Sequence, residues 1–314
     1  MIPLEQSTLV QREVEGSVLI GSVLYIGAVD LFLTGTKGLA ALRVALKYPE
    51  QITSVRIRTD PGLLNDPYDL MLSLARDNHL HVAPHIDETF SDEALAVGWK
   101  SLITAPYQRL FVVHDSLLPK YRGWNPLVTA LQNEDPSIGA TLFLADDQID
   151  KGPIVSQIRS EISYPIRITD AMIIVEQAIA TLVETLFEQV NRRDLPTKIQ
   201  QEDFASYSIW RDDEDYRIDW TKSAKEILLF INSVSYPYKG AFTFLNLKMV
   251  RILKVELYPD VSVVNRVPGK VFRLVDSNPV VLCGSGALKI AEAFLEEVPG
   301  KALELQTVKT RFCS

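Results

Sequence analysis

The chain has 314 residues, of which 47% are hydrophobic, 23% charged and 9% aromatic, with a formal net charge of −8. That size suits two domains of about 100–200 residues around a full apolar core. No window approaches the roughly 20 apolar residues of a membrane helix, and the acidic balance disfavours a general nucleic-acid binder, which needs a basic face. The two cysteines, Cys283 and Cys313, are far apart. They speak against a zinc site or a disulfide framework and for a reducing, cytoplasmic setting. Residues 1–16, MIPLEQSTLVQREVEG, lack the basic start and apolar core of a secretion signal.

Residues 17–28, SVLIGSVLYIGA, are apolar and β-branched and read as a buried strand. Residues 34–47 have apolar side chains at helical spacing, with Thr34 placed to cap them. Residues 55–58 alternate as the end of a second strand. Pro67 opens a helix ending near Asn78. Residues 81–83 and 110–114 read as further strands. This alternation points to an α/β domain with a mostly parallel sheet and helices on both faces. A helix over 124–132, strands over 139–145 and 154–158, and a long amphipathic helix over 169–191 follow.

The polar segment around Pro196 is the linker candidate, giving domains at 1–195 and 207–314 joined by 196–206. After it come one helix, 223–234, and a series of short β segments. They make a smaller, β-rich C-terminal domain.

His114 ends the strand of residues 110–114, and ligands of open α/β sheets bind outside such strand ends. The loop that follows, DSLLPKYRG, holds Ser116 and then Lys120, Tyr121 and Arg122 between Pro119 and Gly123. Lys120 and Arg122 are candidates for holding phosphates, or are solvated loop charges. Asp150, in the turn QIDKGP, either makes a local turn bond or faces His114 and fixes its tautomer. No GxGxxG is present, so a nicotinamide cofactor has no support.

The two stretches HDSLLPKYRG and GATLFLADDQIDKGPIVSQ, with His114 and Asp150 36 positions apart, resemble the signature of the folate-dependent formyltransferases. The segment 207–241, with Asp219, Trp220 and PYKGA, is similar to the start of their second domain, closest to the sugar N-formyltransferase branch. The resemblance implies a Rossmann-like catalytic domain that transfers formyl from 10-formyltetrahydrofolate to a primary amine. His114 would be the acid/base group and Asp150 its partner. The folate would lie beside LAVGWKSLI, with Val97, Gly98, Trp99 and Leu102, and beside the backbone before Asp150, with Asp147. The acceptor would be a nucleotide-linked amino sugar, met by Lys120, Tyr121 and Arg122, and the enzyme a homodimer.

One departure stands out. The family carries Asn two positions before the histidine, where this chain has Val112. The amide donates to the developing oxyanion, and loss of one such donor costs ~10²–10³ in rate. Asn125, Ser116 and protonated His114 are candidate substitutes. Asp115, next to His114, is read as a turn acceptor or as a neighbour that raises the histidine's pKa. Methionyl-tRNA as acceptor and a non-catalytic or altered-donor descendant are the rival readings.

Overall fold

The computed structural model describes residues 28–85, 88–189 and 194–313. The strand expected over 17–28 therefore lies, Ala28 apart, outside the described residues, as does the segment before it. The first described strand is β1 (Val29–Thr34), followed by α1 (Gly35–Ala45), β2 (Ile52–Arg58), α2 (Tyr68–Asp77), β3 (Glu93–Val97) and β4 (Arg109–His114). Then come β5 (Arg122–Gly123), α3 (Pro126–Gln132), β6 (Ser137–Leu144), β7 (Ile154–Glu161) and α4 (Ile168–Gln189). The sheet order is β2-β1-β3-β4-β6-β7. Its first four strands are parallel, and β6 and β7 add antiparallel to them.

Two strands escaped the sequence reading. β1, VDLFLT, carries a charge inside its apolar run, and β3, EALAV, is rich in alanine, a weak strand former. Both are buried throughout, and pairing on either side overrides propensity. Asp30 is tolerated in β1 because Ser54 Oγ, the Phe90 amide and the Tyr107 hydroxyl all donate to it, at 2.5, 2.9 and 2.9 Å. The strand expected at 81–83 is only a bridge from Val82 to Val55. Thr34 precedes α1 in extended backbone but makes no side-chain cap bond.

On one face of the sheet, Leu31, Leu33, Leu95, Val97, Phe111 and Val113 join the core formed with α1 and α4. On the other, Phe32, Ala94 and Ala96 pack with Trp99, Ile103, Tyr107 and Val112. Period-two alternation along each strand produces this division.

The rest of the chain begins with β8 (Tyr207–Ser208), which pairs parallel to β5. A capping box between Ser223 and Glu226 starts α5 (Ala224–Val234). The strands β9 (Ala241–Leu245), β10 (Lys248–Tyr258), β11 (Val271–Val275), β12 (Asn278–Leu282), β13 (Ala287–Leu295) and β14 (Phe312–Cys313) follow. They form an antiparallel sheet in the order β11-β12-β13-β10-β9-β14, with α5 packed on β10 and α3. No helix among the described residues is long and apolar enough to cross a membrane.

Candidate active site

His114 ends β4 in the crevice outside the parallel strand ends, and its side chain is buried. Its Nε2 lies 2.8 Å from the Tyr121 carbonyl. A carbonyl only accepts, so the proton sits on Nε2. Nδ1 lies 3.6 Å from Asp150 Oδ2, close enough for charge to act but beyond a direct hydrogen bond.

Asp150 occupies the left-handed region, at φ 56°. That conformation, tolerated by Asp in tight turns, lets its carboxylate turn back towards β4. The Gly123 amide donates to Asp150 Oδ2 at 2.7 Å. Gln200 Nε2 donates to the Asp150 and Gly152 carbonyls, each at 2.8 Å. The polar segment read as a linker is thus docked behind the site.

The loop between β4 and α3 is held from within. Ser116 Oγ donates to the Lys120 carbonyl at 2.7 Å, and Thr141 Oγ1 donates to the Ser116 carbonyl at 2.6 Å. The Ser116 proton is therefore spent on the loop rather than offered to an oxyanion. Asn125 precedes α3 in left-handed backbone, with Nδ2 3.5 Å from the Ile209 carbonyl. Gly123 has φ 95°, and a Cβ there would stand 2.6 Å from the Ser208 carbonyl, so the β5–β8 contact needs glycine.

Of the three residues read as substrate ligands, Tyr121 and Arg122 turn inward, whereas Lys120 stays exposed. Arg122 is 0% exposed. It donates to both Glu202 carboxylate oxygens, at 2.9 and 3.0 Å, and to Gln200 Oε1 at 3.1 Å. This corrects the phosphate-fork expectation: Arg122 is an internal clasp with no free face. Lys120 Nζ is 2.6 Å from Asp135. The Tyr121 ring is buried, and its hydroxyl accepts from Asn133 Nδ2 at 2.9 Å.

On the expected folate side, Val97 points into the helix-covered core, so its side chain faces away from the crevice. A Cβ on Gly98 would stand 2.4 Å from the Thr34 carbonyl. Trp99 packs edge-on against Phe32, and its face lies 4.7 Å from the Arg58 guanidinium. Among the described residues, its Nε1 is buried without a partner. Leu102 is 81% exposed, and Asp147 is exposed in the turn after β6. Val112 packs among Phe32, Ala94 and Ala96 and offers no donor.

Sequence reasoning missed Lys37. Its Nζ lies 2.5 Å from Asp115 Oδ2. Burial raises the Asp115 pKa, but Lys37 and then His114 outweigh it and hold the carboxyl below its usual range. A cation in the first turn after a strand was the only available signal. Gln200 was missed too, because nothing local ties it to a turn 50 residues earlier.

Comparison with known proteins identifies the family and the fold. A family model described as "Formyl transferase" matches residues 92–186, and one described as "Formyl transferase, C-terminal domain" matches 211–306. A methionyl-tRNA formyltransferase of Sorangium cellulosum (strain So ce56) is 30% identical over 213 residues, covering 66% of this chain and 68% of that one. Among solved structures, an N-formyltransferase from Helicobacter canadensis, in complex with folinic acid and dTDP-3-aminofucose, superposes with a TM-score of 0.66. It is 19% identical, over 85% of this chain and 99% of that one. A HypX variant from Aquifex aeolicus matches with a TM-score of 0.58 at 20% identity. The match covers 86% of this chain and 44% of HypX, so the present chain corresponds to less than half of that protein. At these identities the structural matches speak for the fold.

Proposed function

The chain belongs to the formyltransferase family, a family of group-transfer enzymes, and we propose that it moves a formyl group from 10-formyltetrahydrofolate to the primary amine of a nucleotide-linked amino sugar. In this reading His114 is the acid/base group. The Tyr121 carbonyl holds the proton on Nε2, and Asp150 stabilises the imidazolium when Nδ1 takes a proton from the attacking amine. That proton then passes to the leaving folate nitrogen. The YRG loop ties both partners together, since Tyr121 and Gly123 hold His114 and Asp150 respectively.

The folate is read against Gly98, Trp99 and Leu102. The partly exposed Trp99 ring and the exposed Leu102 suit contact with an aromatic ligand. The proposed division at 196–206 falls between the two matched segments, 92–186 and 211–306. The free cysteines, Cys283 and Cys313, suit a cytoplasmic enzyme. A homodimer is expected by likeness to the sugar branch.

One observation carries the choice of a small acceptor. The chain carries a net charge of −8, and several cations of the C-terminal sheet and its approach are paired locally: Lys239 with Asp213, Lys248 with Glu297, Arg251 with Glu296, Arg266 with Asp260 and Lys289 with Glu256. An RNA backbone calls for a track of available cations. The second reading, methionyl-tRNA as acceptor, draws on the 30%-identical relative.

The test is formyl transfer to a panel of amino-sugar nucleotides and to methionyl-tRNA, in parallel. Turnover with one sugar nucleotide, lost in His114→Ala, is expected. Transfer to methionyl-tRNA alone, with steep salt dependence, would overturn the acceptor assignment.

A further inference from the structure

One ion pair bridges three strand ends at the crevice. Lys37 lies in the first turn of α1, directly after β1. Its Cβ is 3.6 Å from where a Cβ would stand on Gly98, just past β3. Its Nζ meets Asp115, just past β4, at 2.5 Å. The side chain thus crosses from β1 over β3 to β4. This is where the strand order reverses, since β2 lies on one side of β1 and β3 on the other. Ligands of open α/β sheets bind at that reversal. Both side chains are reachable there, at 24% and 12% exposure.

Stability is a poor reason for such a pair, because desolvation offsets most of the attraction between half-buried charges. Its position suggests chemistry. The transfer develops an oxyanion beside His114, and an oxyanion needs a preorganised donor. Val112, on the His114 face of β4, has none. The Ser116 proton is spent on the Lys120 carbonyl. An ammonium has three donor protons, and one Asp115 oxygen engages one of them.

We propose that Lys37, steered by Asp115, donates to the tetrahedral oxyanion in place of the side chain that Val112 lacks, and is a catalytic residue of the transfer. This rests on the formyl-transfer reading above. The amine nitrogen's lone pair forms the new C–N bond, and the carbonyl π pair moves to oxygen, where the Lys37 ammonium meets it. His114 takes one amine proton. The oxygen pair then restores the carbonyl as the bond to the folate nitrogen breaks, and that nitrogen receives the His114 proton. A formamide and tetrahydrofolate leave, and Lys37 ends with the protons it began with.

The experiment measures two rates on the full chain: transfer to an amine acceptor, and acceptor-independent hydrolysis of 10-formyltetrahydrofolate to formate. Hydrolysis passes through the same oxyanion. Lys37→Met is expected to lower kcat of both by ~10²–10³ with little change in donor KM. Lys37→Arg keeps more of the rate than Lys37→Met. Lys37→Met with Asp115→Asn removes the pair without leaving a lone buried charge, and is expected to stay as slow as Lys37→Met. Adding Val112→Asn to Lys37→Met should recover ~10-fold or more, and raise the parent by a smaller factor.

A structural staple would instead give losses that follow the melting temperature, and the neutral double variant would return to the parent's kcat. That outcome overturns the assignment while leaving the formyl-transfer reading intact. Hydrolysis by the parent that depends on Lys37, with no transfer to any amine, supports Lys37 and overturns only the acceptor. A parent that neither transfers nor hydrolyses overturns both.

Discussion

Two buried polar clusters lie towards opposite ends of the same parallel sheet, and they differ in how they are closed. Towards the strand starts, the Asp30 carboxylate receives Ser54, Tyr107 and the Phe90 amide. Arg56 donates to Ser54, the His85 carbonyl and the Glu88 carbonyl, between the rings of Phe32 and Phe90. Each charge there is answered by groups of the chain itself, and the cluster pins the segment that covers one sheet face. At the strand ends, His114 Nδ1 stands 3.6 Å from Asp150, and the Lys37–Asp115 pair remains reachable from outside. Similar side chains serve structure in one place and chemistry in the other. What separates them is whether their hydrogen-bonding capacity is exhausted within the fold.

Substitutions should separate the two clusters. The largest effect is expected for His114→Ala: a fall in kcat of ~10²–10⁴ with a melting temperature near the parent's, followed by steady-state kinetics and thermal unfolding. Asp30→Ala should show the reverse. It strands Arg56 without its carboxylate and is expected to cost about 3–5 kcal/mol in urea unfolding, while kcat per folded molecule holds. A catalytic loss in Asp30→Ala beyond its loss of folded protein would erase the distinction.

Gly123→Ala comes next. The added Cβ meets the Ser208 carbonyl at 2.6 Å, in a backbone region that favours glycine. The shift should take the Gly123 amide away from Asp150 and lower kcat by about tenfold, an expectation drawn from the cost of small misplacements. A parent-like rate would show that Asp150 does not depend on this donor.

The smallest effect concerns pH. The Asp115 carboxyl is held below its ordinary value, with Lys37 and His114 outweighing burial. Its stabilising contribution is therefore present above the unfolded aspartate range, ~4, and is lost as pH falls through the lowered value. Lys37→Met removes the larger of the two charges that hold the carboxyl down, so its folded pKa rises and the stability it contributes above the unfolded range shrinks. The gap in melting temperature between parent and Lys37→Met should widen from about pH 3 to about pH 6, by ~2–4 °C per kcal/mol for a chain of this size. A constant gap would mean that the pair is not electrostatically coupled.

Much of the architecture was legible along the chain. The helices over 68–77, 126–132, 168–189 and 224–234 lie close to where apolar periodicity and capping residues put them, because those signals act within one or two turns. The C-terminal strands were legible from alternation and turn residues. β1 and β3 were not, since a charge and a run of alanines are acceptable in strands only when neighbours on both sides bury and pair them. At the site, local chemistry marked His114 and Asp150. It misjudged Arg122, whose partners Gln200 and Glu202 come from a segment about 80 residues on.

Two motifs at a set interval carried the family resemblance along the chain, and strand–helix alternation carried the parallel sheet with its β-rich continuation. Tertiary structure alone decided which polar groups are consumed and which stay available. It turned Arg122 and Ser116 inward, docked Gln200 behind Asp150 and carried Lys37 across three strand ends to Asp115. The physical reason is range: propensity, capping and alternation are written within a few residues. Whether a buried donor or acceptor is satisfied depends on groups that meet only after the chain has folded.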